Sequence, residues 1–119
     1  MQAMATPSSL TGRPLVEVVV VTFSLEGMTE SDYLSVCDEV APPVAAVQGL
    51  ISKVFLADQA NGVYGGVYTF EDSAAADAYL ASDLGNVAAI PGLVDVSVRR
   101  FGVLLAPTAI TRGLAPTAA

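Results

Sequence analysis

Gly49-Leu50-Ile51-Ser52-Lys53-Val54-Phe55-Leu56-Ala57-Asp58, then Gln59-Ala60-Asn61-Gly62, then Val63-Tyr64-Gly65-Gly66-Val67-Tyr68-Thr69-Phe70 is the stretch that decides the architecture. It reads as two apolar strands, about 49–57 and 63–70, joined by a polar turn that ends in Asn-Gly. Upstream, Leu15–Phe23 has eight apolar or β-branched residues out of nine, which suits a strand covered on both faces. Between these strands Thr29 offers an N-cap, with Glu30 and Asp32 in the first turn opposing the positive helix end. Tyr33, Val36/Cys37, Val40 and Val44 then recur at the helical period. Pro42 and Pro43 predict a stop near Ala41, because neither can donate a backbone bond. Downstream, Asp72 caps a second, alanine-rich helix to about Leu84. Pro91-Gly92 punctuates the loop, and Leu93–Leu105 reads as the last strand. Strand, helix, strand, strand, helix, strand is the order of a ferredoxin-like α+β sandwich (βαββαβ). Its antiparallel sheet has the order 4-1-3-2 and both helices lie on one face.

The composition restricts what such a domain does. The 119 residues are 53% hydrophobic and 14% charged, where an average soluble chain is about one quarter charged. One sheet face is left without helices and is itself apolar, so a second copy of the chain is the expected cover, giving a homodimer. The net charge is −7, and the stretch 14–104 holds only Lys53, Arg99 and Arg100 as cations. That excludes nucleic acid and an anionic membrane surface as partners. No run of apolar residues is long enough to span a bilayer. There is no His, and the one Cys, Cys37, has no disulfide partner, so a reducing cytoplasm is expected and the usual zinc, copper and haem ligands are missing. Cys37 falls on the apolar face of its helix and reads as inert packing. Residues 1–13 read as a mobile leader, 14–105 as the domain, and 106–119 as a tail, either loose or draped over a partner.

Strand side chains alternate, so parity sorts them. With Ala57 opposite Val63, even positions keep company with even ones across the hairpin. The even set, with Val16, Val18, Val20, Leu50, Val54, Leu56, Phe70, Val94, Val96 and Val98, is the more uniformly apolar and is assigned to the helices. It also carries Thr22, Ser52, Tyr64, Tyr68 and Arg100, and Gly66 leaves open space between the two tyrosines. Polar groups converging within an apolar wall are what a small-molecule pocket requires. The odd set, with Val19, Val21, Phe23, Ile51, Phe55, Val63, Val67, Glu17, Lys53, Asp95 and Arg99, is assigned to the twin subunit.

Gly49-Leu50-Ile51-Ser52-Lys53, Gly65-Gly66-Val67-Tyr68-Thr69-Phe70-Glu71-Asp72 and Val96-Ser97-Val98-Arg99-Arg100-Phe101 resemble segments of the YdhR-like mono-oxygenase family. That family lies in the dimeric α/β-barrel superfamily, and the resemblance covers roughly residues 15–104. It implies two subunits joined face to face as an α/β barrel and a small enzyme that works without flavin, haem or metal. The substrate it implies is a hydrophobic phenolic or polyketide-like molecule held between sheet and helices. In that reading the substrate loses a proton, its anion passes an electron to O2, and the radical pair recombines on carbon. Tyr68 and Tyr64 would donate hydrogen bonds to the anion, and Arg100 would supply fixed positive charge. Tyr33 and Tyr79 would approach from the helices, and Thr22 and Gly66 would line the space. Ser52, where relatives often carry Trp, would make room for a bulkier ligand. Without His, the base must be Asp, Glu, Lys53 or a Tyr. A non-redox cyclase or isomerase, and a non-catalytic dimer that binds a small ligand, are the two alternatives.

Overall fold

The computed structural model describes residues 16–114, so the leader assigned to residues 1–13 and the end of the tail lie outside the described residues. Four strands, β1 (Glu17–Leu25), β2 (Leu50–Asp58), β3 (Val63–Phe70) and β4 (Leu93–Gly102), form one antiparallel sheet in the order β2-β3-β1-β4. This is the expected 4-1-3-2 arrangement. Two helices, α1 (Glu30–Ala45) and α2 (Ser73–Ala81), pack on it, and a short third helix, α3 (Leu105–Ile110), follows β4. The fold is ferredoxin-like.

Local chemistry sets the element ends. Thr29 accepts from the Asp32 amide while the Asp32 carboxylate accepts from the Thr29 amide, a reciprocal capping box that opens α1. Asp72 accepts from the Ala75 amide and opens α2. The turn between β2 and β3 is one 3-10 turn, Gln59–Asn61, held by Asp58 and closed by Gly62 at φ 67°. Only glycine adopts that backbone conformation without steric cost.

Element boundaries differ from the sequence reading in places: β1 runs on to Leu25, and β4, expected to reach Leu105, ends at Gly102. α1 does not stop near Ala41; it runs through Pro42 and Pro43 to Ala45. Proline's fixed φ is helical, and what the pair removes is two amide donors in a last turn, where Val44 is buried and anchors the segment. α2 ends at Ala81 rather than Leu84, because the Ser82 hydroxyl turns back onto the Tyr79 carbonyl and accepts from the Gly85 amide. Leu105, expected to end the last strand, instead opens α3, which carries the start of the expected tail and buries none of its residues.

The core lies between helices and sheet. Val19 and Phe70 are fully buried, and Val21, Phe23, Tyr64, Tyr68, Tyr33 and Tyr79 join them. Each such side chain contributes about 1.5–3 kcal/mol by leaving water. The register shows which sheet face this is. Val19 lies opposite Tyr68, Val21 opposite Gly66 and Phe23 opposite Tyr64 on β3, so odd residues of β1 share a face with even residues of β3. Lys53 lies opposite Tyr68 and Phe55 opposite Gly66 on β2.

The parity assignment is therefore corrected for β1 and for most of β2. Val19, Val21, Phe23, Lys53 and Phe55 point toward the helices; Val18, Val20, Thr22, Ser52, Val54 and Leu56 point away. The cause is register. Ala57 pairs with Tyr64, not Val63, and a bulge at Ile51 restores Leu50 to its place opposite Phe70. A second bulge at Asp95, φ 54°, shifts β4 so that Val94 faces away while Val98 and Arg100 share the helix face. One extra residue in a ladder moves every later side chain to the opposite face.

Candidate functional site

A cavity of about 140 Å³ opens between α1, the segment after α2, and the sheet. α1 lends Tyr33, Val36, Cys37, Val40 and Val44, the residues of its apolar stripe. The sheet lends Phe23, Lys53, Phe55, Gly65 and Tyr68, and α2 lends Tyr79. Leu84, Val87, Ile90 and Leu93 close the far side, with exposed Asp83 at the rim. The wall is apolar except for three phenols, one thiol, one ammonium and one carboxylate.

Two aromatic groups buttress it. Tyr33 stands edge-on to Phe23, with ring centroids 5.6 Å apart, and contacts Tyr64 at 5.2 Å. Tyr68 stacks on Phe70 at 6.1 Å and meets Tyr79 at 5.1 Å. The Tyr79 and Tyr68 hydroxyls are hydrogen-bonded to each other at 3.3 Å. Burial, followed by the contact with its phenol partner, holds Tyr68 protonated well above the ordinary tyrosine range. Burial, followed by the contact with Cys37, does the same for Tyr33. Both phenols therefore keep their protons at neutral pH.

Lys53 is the chain's only lysine, and its ammonium sits 3.9 Å from the centroid of the Phe55 ring and 4.6 Å from that of Tyr68. The aromatic faces compensate the charge only in part, and burial pulls the amine down to about 8. Among the described residues it has no carboxylate partner within ion-pair distance. A lysine near neutrality beside buried phenols combines a proton acceptor and, once protonated, an anion-stabilising charge.

The sequence-selected residues divide. Tyr33, Tyr68 and Tyr79 meet in the cavity wall. Tyr64 lies on the same sheet face, but its hydroxyl donates to Glu30 Oε2 at 3.1 Å, an oxygen that also receives the Gln59 amide at 2.6 Å. That ties the hairpin to the start of α1. Gly66 does not leave the open spot expected of it: a Cβ there would come within 2.8 Å of Lys53 Cε, so the glycine accommodates the lysine stem. Gly65 lets β3 approach β1, since a Cβ would fall 1.9 Å from the Val21 carbonyl oxygen. Thr22 lies on the sheet face away from the helices. Ser52 lies beside the β2 bulge and borders a separate groove.

Arg100 is drawn to Glu17 through Nε at 2.6 Å, to Asp77 at 2.7 Å and to the Ser73 carbonyl at 3.3 Å. It joins β4 and β1 to α2 and does not line the cavity. We expect Arg100→Met to lower stability by about 1 kcal/mol while leaving ligand affinity unchanged, as denaturant unfolding and calorimetry would check. A greater effect on affinity than on folding would return Arg100 to the site.

Sequence reasoning counted Lys53 among the possible bases, but parity sent it to the opposite face and so left it out of the site. The signal available was its singularity, one lysine within a strand otherwise apolar from Val54 to Ala57.

Solved structures share the fold. A conserved protein from Methanosarcina mazei Go1 is 13% identical, over 74% of this chain and 92% of its own, with a TM-score of 0.62. A protein from Shewanella oneidensis is 18% identical, over 76% and 93%, with a TM-score of 0.63. A protein of unknown function from Nitrosomonas europaea is 17% identical, over 77% and 92%, with a TM-score of 0.62. No functionally curated protein matches. The model of the family described as "Putative mono-oxygenase ydhR" matches residues 18–114, which takes in every strand and helix that walls the cavity except Glu17 of β1, and the chain belongs to that family.

Proposed function

We propose that the protein is a cofactor-independent mono-oxygenase for a small, electron-rich phenol, working as a homodimer, with Lys53 as the base. The observation that carries this reading is the Lys53 amine, held near neutrality against the Tyr68 ring in an apolar cavity that also presents the Tyr68 hydroxyl. Family membership supports oxygenation as the reaction class. The volume supports the substrate's size, since a cavity of ~150 Å³ holds one benzene ring.

The chemistry needs no external reductant. Neutral Lys53 takes the phenolic proton, and the resulting ammonium and the Tyr68 hydroxyl stabilise the phenolate. The phenolate passes one electron to O2, and superoxide and the phenoxyl radical combine at a ring carbon bearing hydrogen. The peroxide formed there takes a proton, that carbon loses its hydrogen as a proton, and the O–O bond breaks to release water. A quinone carbonyl remains. One oxygen atom enters the product, the other leaves as water, and all four electrons come from the substrate. The protein supplies orientation, a dry wall and the two hydrogen-bonding groups.

Orcinol, a methyl-bearing dihydroxybenzene, is a suitable probe. Under labelled O2 it should yield a hydroxyquinone carrying one labelled oxygen, with none formed under argon. A product of altered skeleton formed equally under argon would establish non-redox chemistry instead. Tyr68→Phe should lower turnover about ten- to a hundredfold and cost about 1 kcal/mol of stability, through one lost buried hydrogen bond. Unchanged turnover would remove that hydroxyl from the mechanism.

A further inference from the structure

The cavity has a neighbour. A groove of about 300 Å³ runs along the β2 edge beneath the last turns of α1, lined by Ala41, Ala45, Leu50 and Ile51 together with Val44, Lys53 and Phe55. These last three side chains also line the inner cavity, so they form a wall common to both spaces. Two of them are firmly placed: Val44 is buried in the core cluster, and Phe55 belongs to a paired strand. Lys53 lines both spaces, and its amine, over the Phe55 and Tyr68 rings, carries the proposed chemistry.

We propose that the groove is a second subsite that takes the unbranched apolar tail of a substrate whose phenolic ring occupies the inner cavity. The inference rests on the cavity being the ligand site. The inner space holds about one ring, so a larger substrate must leave it, and the wall at Lys53 adjoins a second space of suitable character. Six of the groove's eight lining side chains, Ala41, Val44, Ala45, Leu50, Ile51 and Phe55, are apolar, which suits an alkyl chain; Ser52 and Lys53 are its polar members, and the Lys53 ammonium already lies over the Phe55 and Tyr68 rings. Passage beside Lys53 also orients the ring. The tail draws the substituted edge toward the amine, so ring position follows from tail binding, and remote binding energy becomes alignment at the reacting atoms. The substrate class is therefore an alkylated phenol, with orcinol as its truncated form.

Calorimetry under argon with orcinol and olivetol, the same ring bearing a pentyl chain, tests this without requiring turnover. Each buried methylene is worth about a fourfold gain in affinity. Wild-type protein should therefore bind olivetol more than tenfold tighter than orcinol. Ala45→Phe, at an exposed helix position that fills the groove and does not touch the inner cavity, should abolish that preference and leave orcinol affinity unchanged; Ala41→Phe should act alike. Equal affinity for the two ligands, a preference that survives both substitutions, or no binding of either ligand would overturn the subsite. Selective olivetol binding with no oxygen uptake in air would refute the oxygenase reading while leaving the subsite standing.

Discussion

Replacing Lys53 with methionine should abolish most of the oxygen uptake while the fold becomes more stable. Methionine keeps the length and apolar stem of lysine but has no amine, so the loss isolates proton transfer; general-base removal costs about a hundred- to ten-thousandfold in rate. The wild-type profile should carry the same signature. With the amine pulled down to about 8, Lys53 is ammonium below that pH and cannot accept a proton. The rate should rise through pH 8 and level above it. Stability follows the same group with a determinable sign. In the folded chain the amine loses its proton near pH 8, and in the unfolded chain only near the ordinary lysine value of about 10.4. Between these values the unfolded state binds more protons, so stability rises with pH across that window. Lys53→Met should remove that rise. Buried Tyr33 and Tyr68 act oppositely: they hold their protons above the usual range, so stability falls once unfolded tyrosines ionise near pH 10. Comparing denaturant midpoints from pH 7 to about 11 separates the two effects. An unaltered rate profile in Lys53→Met would assign the base elsewhere.

The second large effect is expected on the sheet face opposite the helices. Val18, Val20, Val54, Leu56, Val63 and Val67 lie there across three adjacent strands, and Val54 is 56% exposed. Few monomers leave so broad an apolar sheet face in water. We propose that a second subunit lies on it. Val20→Arg puts a guanidinium on central strand β1, and a two-fold axis would apply the change twice, so like charges meet or are stranded without partners. The dimer should weaken more than a hundredfold, visible by sedimentation as a monomer at micromolar protein, with near-native circular dichroism. A wild-type monomer, or an Arg variant that still sediments as a dimer, would discard the assembly. Phe55 and Val21, which parity had placed at this interface, belong to the helix side, so charge would enter the cavity wall at Phe55 and the core at Val21 instead.

What was legible in the sequence is what local chemistry determines. Thr29 and Asp72 announce the helix starts, Asn61-Gly62 announces the hairpin, and the alternation of strand-like and helical patterns gives the order of the sheet. Tyr68, Tyr33 and Tyr79 could be placed near one another for the same reason. Facing was harder, because β1 is valine on both sides and so carries no contrast between core and exterior. Glu17 made its odd face look wet, whereas that carboxylate sits at the sheet's end on Arg100. The bulges at Ile51 and Asp95 have no signature in an apolar run, and the one-residue difference at the turn sent Lys53 to the opposite side. The most consequential residue of the site was therefore hidden by register and not by chemistry.

The paired prolines of α1 have a consequence for how the ligand space behaves. Pro42 and Pro43 bring no amide hydrogens to the carbonyls of Asp38 and Glu39, so that rung of the helix lacks two crossties. Val44, at the partition between ring and tail, is carried on this less braced end. Burial of Val44 in the core therefore holds this turn where the two backbone bonds are missing, so side-chain packing and not hydrogen bonding fixes the partition.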